Sequence, residues 1–231
     1  MRISMLLSVM LSFSFLHVFA SDISTQKDAP TLLYMGQASI RITTEDGHVI
    51  YIDPYAGNDY NQAADLILVT HEHFDHNAVQ KVKSRNEGCR IIRARDAVIN
   101  GVHQTFDLDY VRVEAVEAGY NHYHDVRNCA GYVLTFRNGR KVYVSGDTST
   151  TKQMAQMKNM HIDYAFLCTD GLFNMGNEEA AEAARMIEAH HNIPYHNDTS
   201  NRGEMFDRDA AEHFDAPNKM IVYPGESILI E

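Results

Sequence analysis

The sequence predicts a single α/β domain that contains both antiparallel and parallel strands. Strand patterns occur in groups along the whole length, and helical patterns lie between them. Two glycine-containing turns, at 45–47 and 138–139, are typical of hairpins. An uninterrupted apolar run, ADLILVT at 64–70, is typical of a strand buried on both faces, as parallel strands usually are. No internal linker or repeat interrupts the pattern, so we expect one domain.

The alternation of apolar residues gives the expected elements in order. The strands are predicted at 31–35, 38–43, 48–52, 64–70, 90–94, 105–117, 129–136, 141–144 and 219–223. Helical spacing predicts helices over 76–86, 149–159 and 177–190.

The composition is that of an ordinary globular protein with an acidic surface. The chain has 231 residues, of which 45% are hydrophobic, and its net charge is −11. This balance argues against a nucleic-acid partner, because phosphates are recognised through clustered lysine and arginine. A small anionic substrate is still compatible with the charge, since bound metal ions can reverse the local field. We therefore expect a small-molecule substrate.

The first twenty residues have the composition of a signal peptide. Arg2 provides a positive start, and residues 5–20 are almost entirely apolar or hydroxylated. A membrane anchor is the alternative, but the stretch is short for the roughly 20 residues that a span needs. We expect cleavage after about Ala20, a linker over 21–30, and a domain over 31–231. The mature protein would then be periplasmic or secreted and free of the membrane.

The three cysteines allow at most one internal disulfide in an exported protein. They are Cys89, Cys129 and Cys168, and their spacing does not select a pair.

Four potential metal ligands follow the buried strand at 66–70. The segment HEHFDH contains His71, His73, Asp75 and His76. Polar groups at the end of a buried strand are costly unless a partner satisfies them. A tight turn can direct the first two histidines to one metal ion and the aspartate and last histidine to its neighbour. Imidazole with carboxylate suits Zn²⁺, with Mn²⁺ or Fe²⁺ as alternatives.

This HxHxDH segment resembles the signature of the metallo-β-lactamase superfamily, in particular its small UlaG-like and YtkL-like branch of metal-dependent hydrolases. The resemblance covers essentially the whole mature length. It implies an αββα sandwich, in which two mixed sheets pack face to face with helices outside. The supporting segments follow one another in the expected order: YMGQAS at 34–39, with Gln37 in place of the usual histidine, IDP at 52–54, SGDT at 145–148, GLFNMGNEEA at 171–180, IPYHN at 193–197 and PGES at 224–227.

The resemblance adds Asp147 as the carboxylate that bridges two cations and His196 as a ligand of the second. From the residues alone, Asp147 follows a strand and could instead cap a helix that begins near Ser149. His196 could instead be an ordinary loop histidine.

The resemblance places the remaining ligand of the first metal in the segment YNHYH at 120–124, which contains Asn121, His122 and His124. We favour His122 over His124 as the ligand and expect the other histidine to face the substrate pocket. Asn121 is a further option, because relatives carry either residue type there.

Two further aspartates are candidates for supporting roles. Asp53 is expected to hydrogen-bond a ligand imidazole or the backbone of the metal loop, although a turn carboxylate before Pro54 is the alternative. Asp170 could contact substrate or could equally be a turn residue.

Two neighbouring cations lower the pKa of a bridging water towards about 7 and so supply hydroxide for hydrolysis. The expected bond is an ester, lactone, amide or phosphodiester, and the resemblance favours a lactone or phosphoester. Asp75, His122 and His124 are the candidate catalytic residues. The alternatives are a metal-binding or sensing module without activity, a β-lactamase-type amide hydrolase, and a di-iron protein that handles oxygen or NO.

Overall fold

The computed structural model describes residues 29–200 and 202–231. The predicted signal peptide and most of the predicted linker lie outside the described residues. Within the described ranges, none of the helices has the length and apolar character needed to cross a membrane.

Strands make up most of the regular structure, and the helices are short. The strands are β1 (Thr31–Gly36), β2 (Ser39–Thr43), β3 (Val49–Ile52), β4 (Ala64–Val69), β5 (Arg85–Arg93), β6 (Val98–Ile99), β7 (Val102–His103), β8 (Thr105–Leu108), β9 (Val111–Glu117), β10 (Ala130–Phe136), β11 (Lys141–Val144), β12 (Tyr164–Cys168), β13 (His191–Tyr195) and β14 (Ser227–Leu229). The helices are α1 (Ala94–Ala97), α2 (Met154–Met157), α3 (Asn177–Ile187) and α4 (Arg208–Glu212), with 3₁₀ turns at Val79–Lys81 and Lys158–Met160.

Two six-stranded mixed sheets form the fold, as the sequence predicts. The first has the order β14-β1-β2-β3-β4-β5, and the second has the order β13-β12-β11-β10-β9-β8. In the first sheet β3, β4 and β5 are parallel. In the second sheet β11, β12 and β13 are parallel. All other neighbours in the two sheets pair antiparallel. The two sheets therefore repeat one pairing pattern.

The inner faces of the sheets share one continuous apolar core. Ile40 and Leu66 of the first sheet and Tyr132 and Leu134 of the second are fully buried in it. Complete burial of an aliphatic side chain of this size stabilises the fold by about 1.5–3 kcal/mol. Helix α3 buries an alanine-rich face, and it contacts α2 and β12 on the second sheet. This packing agrees with a layered α/β sandwich.

Two predicted elements are wrong, and the packing explains both. Residues 76–86 contain no α-helix but a 3₁₀ turn at Val79–Lys81 and the start of β5, because Val79 and Val82 pack on the outer side of the first sheet. The Lys81 ammonium also donates to the carbonyls of Tyr55 and Gly57. The predicted strand at 219–223 forms only a single bridge, between Lys219 and Asn192. The tail instead supplies β14, which pairs with β1.

The other two predicted helices differ in how well they match. Helix α3 begins at the predicted residue and ends at Ile187, where Glu188 takes a left-handed backbone conformation. The helix expected over 149–159 shortens to α2 and the following 3₁₀ turn. All three cysteines are free, so the disulfide that the count allows does not form.

Candidate metal centre

The metal loop, residues 71–76, starts where β4 ends and is fixed from both sheets. The backbone N–H and the hydroxyl of Thr70 both donate to the buried Asp53 carboxylate, each at 2.7 Å. From the second sheet, the Ala130 N–H donates to the Thr70 carbonyl at 2.9 Å. Gly146 allows this approach, since it has φ +60° and a Cβ there would lie 2.9 Å from Thr70 Cβ. The end of β4 is therefore pressed against the turn after β11.

Three histidines form a first group of ligand atoms. His71 and His73 come from the metal loop, and His124 comes from the loop between β9 and β10. The Nε2 atom of His124 lies 3.2 Å from Nδ1 of His73. The ring centroid of His71 lies 4.5 Å from that of His73 and 5.0 Å from that of His124. Three imidazoles thus converge on one point.

Asp75, His76 and His196 form a second group. The Nε2 atoms of the two histidines lie 3.2 Å apart. Asp75 Oδ2 lies 4.0 Å from His76 Nε2 and 3.9 Å from His196 Nε2. Because His196 directly follows β13, this group combines residues from both sheets.

Asp147 lies between the two groups and turns one oxygen towards each. Its Oδ2 lies 3.9 Å from His71 Nε2 and 3.3 Å from His124 Nε2. Its Oδ1 lies 3.3 Å from His76 Nε2 and 3.4 Å from His196 Nε2. A carboxylate placed in this way can bind a cation in each group.

The hydrogen bonds of the histidines fit metal binding. His76 Nδ1 lies 2.8 Å from Asp53 Oδ2, and His124 Nδ1 lies 3.0 Å from Asn121 Oδ1. Carboxylate and amide oxygens accept, so both Nδ1 atoms carry a proton, and in the neutral imidazole each Nε2 atom is then the one available to a metal ion. His71 Nε2 is buried without a hydrogen-bond partner. Converging lone pairs and carboxylates repel one another unless a cation satisfies them. The donor set therefore fits two divalent cations.

The charges of the side chains at the centre also favour bound cations. Burial and then the neighbouring His76 lower the pKa of His71 well below its usual value, so its imidazole is neutral. Burial alone would raise the pKa of Asp147, but His196 and His76 hold it well below its usual value. Burial alone would lower the pKa of His76, yet Asp147 and Asp53 raise it well above its usual value. The ionised carboxylates therefore favour positive charge at this position.

The structure reverses the preference for His122 over His124. Asn121 Oδ1 accepts the backbone N–H groups of Tyr123 and His124, both at 3.0 Å, and so closes a tight turn. This turn directs His124 inward, where it is buried, and leaves His122 exposed beside the Tyr123 ring. Six of the seven predicted ligands therefore lie in the cluster, and His124 takes the place predicted for His122. Asn121 orients that ligand instead of replacing it.

Gln37 contacts the second group, a role that the sequence analysis did not assign. Its Nε2 lies 3.0 Å from Asp75 Oδ2 and 3.1 Å from His196 Nε2. Gln37, Asp53 and His196 all have a left-handed backbone, with φ of 50°, 44° and 43°. Such conformations cost non-glycine residues about 1–3 kcal/mol each and cluster at functional sites. The position was visible in the sequence as a departure from the family motif.

Asp170 supports the loop after β12. Its buried carboxylate accepts the backbone N–H groups of Leu172 at 2.8 Å and Phe173 at 2.7 Å. It also lies 3.7 Å from His196 Nδ1. The turn role weighed for Asp170 is thus the one that the structure contains, and the same carboxylate faces a ligand histidine.

A pocket of about 370 Å³ opens directly onto the second group and Asp147. Five of the candidate ligands line it together with four other residues: His73, Asp75, His124, Asp147 and His196, with Phe74, Tyr123, Phe173 and Thr199. A groove of about 330 Å³ adjoins it, because both are lined by His73, Tyr123 and His124. The centre is therefore accessible to a small molecule.

Comparison with known proteins agrees with this geometry. Residues 31–196 match the beta-lactamase superfamily domain, so the chain belongs to that superfamily. Its fold and its relatives make it a metal-dependent hydrolase of the metallo-β-lactamase fold. More narrowly, it is similar to UPF0173 metal-dependent hydrolases. That of Pyrococcus furiosus is 30% identical over 192 residues, which cover 72% of this chain and 84% of the relative. That of Thermococcus kodakarensis is 29% identical over 224 residues, which cover 84% and 97%.

Solved structures show the same fold. A protein from Parabacteroides distasonis, described as a metal-dependent hydrolase, is 30% identical with a TM-score of 0.65. The match covers 83% of this chain and 92% of that chain. A diiron β-hydroxylase from Streptomyces venezuelae has a TM-score of 0.63 at 13% identity, over 87% of this chain and 54% of that chain. The fold alone therefore does not specify the metal or the reaction.

Proposed function

We propose that the protein binds two divalent cations, most favourably Zn²⁺, and hydrolyses an ester or lactone of a small molecule. The observation that carries this proposal is Asp147, whose two oxygens face separate groups of ligands at 3.3–3.9 Å. The five histidines of the two groups favour zinc among the metals that such sites bind.

When bound, the cations would lower the pKa of a water molecule towards neutrality and polarise the carbonyl under attack. The residues of the chain hold and orient the ligands. Asp53 keeps the proton of His76 on Nδ1, and Asn121 does the same for His124. Asp75 has 15% of its side chain exposed, so its carboxylate can accept a proton at the floor of the pocket. Tyr123 lines the pocket beside His124 and can position the substrate there.

The proposal is tested by metal removal and by substitution at the bridging position. Chelation should abolish hydrolysis of simple esters and lactones, and added Zn²⁺ or Mn²⁺ should restore it. Elemental analysis should give two equivalents of metal in the wild type and fewer in Asp147→Asn. Full activity in the metal-free protein, or in Asp147→Asn without its metal, would contradict the mechanism.

We also propose that the protein is exported. The basis is the apolar segment at 5–20 after Arg2, followed by a change to polar composition at residue 21. Expression of the full chain with fractionation and N-terminal sequencing tests this proposal. We expect mature protein outside the cytoplasm that starts near Ser21, whereas an intact cytoplasmic chain would contradict it.

A further inference from the structure

Three aromatic side chains from both sheets surround the opening of the metal pocket. We call Phe74, Tyr123 and Phe173 the aromatic rim. They are 66%, 50% and 40% exposed, and all three line the pocket above the second ligand group. The ring centroids of Tyr123 and Phe173 lie 5.1 Å apart, and the Phe74 ring packs edge-on against Tyr55 with a centroid distance of 5.7 Å. Exposed rings grouped at a polar site mark a binding surface.

The rim is held in place by side-chain caps on two separate turns. Asp170 accepts the N–H of Phe173 at 2.7 Å, and Asn121 accepts that of Tyr123 at 3.0 Å. The Asp170 carboxylate also accepts the side-chain amide of Asn174 at 2.6 Å. Tyr123 and Phe173 therefore project from capped turns, so little conformational entropy of these two turns is lost when a ligand packs against the rings.

Among the residues that the structure describes, the pocket offers no basic side chain to an anionic group at the aromatic rim. Apart from the ligands, its lining within the described part of the chain consists of the rim and Thr199, without lysine or arginine. A phosphate or carboxylate here would have only the metal ions as positive partners. The adjoining groove does contain a cationic side chain, that of Arg95.

We propose that the protein selects substrates that carry a neutral aryl or alkyl group next to the scissile ester or lactone bond, and that this group packs on the aromatic rim. This inference rests on the proposed hydrolytic function and names its substrate class. The apolar group would bury rim surface that is now exposed, while the carbonyl lies over the ligand groups. The polar part of the substrate would extend past Tyr123 into the adjoining groove.

Binding and turnover should be measured separately on the zinc-loaded full chain. In the binding experiment, calorimetry compares acetohydroxamate with 3-phenylpropanohydroxamate, which share one metal-binding group. We expect the phenyl compound to bind at least about 10-fold more tightly, the lower range for apolar groups in a hydrophobic pocket. In the turnover experiment, kcat/KM for a five-membered lactone with a phenyl substituent should exceed that for unsubstituted γ-butyrolactone by a similar factor.

Two alanine variants make the test specific. Phe173→Ala should reduce both ratios to about 3-fold or less, since it removes one face of the apolar site. Leu172→Ala is the matched control, because Leu172 is 58% exposed on the same turn but does not line the pocket. It should keep the wild-type ratios. Circular dichroism and metal content show that both variants are folded and loaded.

The outcomes separate this inference from the proposed function. Turnover of lactones without any preference for the phenyl group would overturn the inference and leave the hydrolase intact. Preferential hydroxamate binding without turnover of any ester or lactone would support the apolar site and contradict the proposed ester or lactone hydrolysis. Tighter binding of inorganic phosphate than of the phenyl compound would overturn the inference. So would a wild-type dimer that Phe173→Ala dissociates, because the rim would then be an interface between two copies of the chain.

Discussion

The substitution Asp53→Asn tests whether the metal ligands depend on a buried carboxylate that touches no metal. Asp53 is fully buried and accepts three hydrogen bonds, two from Thr70 and one from His76, at 2.7–2.8 Å. An amide has only one oxygen. Whichever way it is oriented, its NH₂ group faces a Thr70 or His76 donor, so at least one buried donor loses its partner.

The size of the effect follows from these contacts. One unpaired buried donor costs about 1–3 kcal/mol, which corresponds to a fall in Tm of roughly 2–12 °C for a chain of this length. Loss of a partner that orients a ligand histidine typically weakens metal affinity by about 10–100-fold, or ~1.4–2.8 kcal/mol. We therefore expect Asp53→Asn to remain folded, to bind one of its two zinc ions at least about 10-fold less tightly, and to melt at a lower temperature.

Zinc affinity is measured by competition with a chromophoric chelator, and Tm by calorimetry on the metal-free protein. Asp107→Asn is the control, because this carboxylate is 72% exposed in an ion pair with Arg112 on the edge strand β8. It should leave both quantities unchanged. If Asp53→Asn kept the zinc affinity and the Tm of the wild type, our account of how the metal loop is held would be refuted.

Four further results are expected. His124→Ala should lose one of the two metal equivalents and at least about 100-fold in kcat, whereas His122→Ala should keep both, and equal losses would contradict the assignment. Gln37→His should raise the affinity of the second metal about 10-fold, because an imidazole replaces an amide beside the second ligand group; an unchanged competition titration would count against that role. Chelation should lower Tm by roughly 8–16 °C, since metal at 1,000 times its Kd adds ~4 kcal/mol to folding, and identical melting curves would exclude coupling of metal to stability. Only the thiol of Cys89 should react with a thiol reagent in the folded protein, whereas all three should react after unfolding. Cys129 and Cys168 are buried, and burial raises the pKa of Cys129 to about 12. Three reactive thiols in the folded protein would be inconsistent with the fold.

Regions where a sequence pattern has one structural solution were predicted well. The run at 64–70 is apolar at almost every position and forms β4, a largely buried strand between β3 and β5 of the first sheet. Residues 76–86 were predicted incorrectly because Val79 and Val82 are three apart, a spacing that suits a helix and a 3₁₀ turn alike. Only packing against the first sheet, together with the lysine contacts to Tyr55 and Gly57, decides between them.

The residues of the site also fall into those that the sequence predicts and those that only the fold decides. His71, His73, Asp75 and His76 lie in one short loop, so their spacing in the sequence implies their proximity. The choice between His122 and His124 depended on the direction of a turn, which is set by the Asn121 amide as it caps two backbone N–H groups. Hydrogen bonds of this kind leave no periodic pattern in a sequence.

The contact of Gln37 with the second ligand group and the aromatic rim could not be predicted for a related reason. Gln37 reaches His196 across 159 residues of sequence, and its neighbourhood arises only when the two sheets pack. Phe74, Tyr123 and Phe173 come from three different loops, so nothing in their local sequence marks them as a group.

The division of the ligands between the two sheets has a consequence for the durability of the protein. Cations held by the 71–76 loop and by His196 would join segments 125 residues apart (196 − 71), as a covalent cross-link does. Closing a loop of 100 residues or more by a disulfide is worth about 4–5 kcal/mol in chain-entropy models, and the thiols of this chain form none. The metal ions would take over that function as a reversible clamp. The lifetime of the folded protein would then depend on the supply of metal in its surroundings. Where metal is scarce, the chain would unfold more often and be exposed to proteolysis, although every catalytic residue is still present.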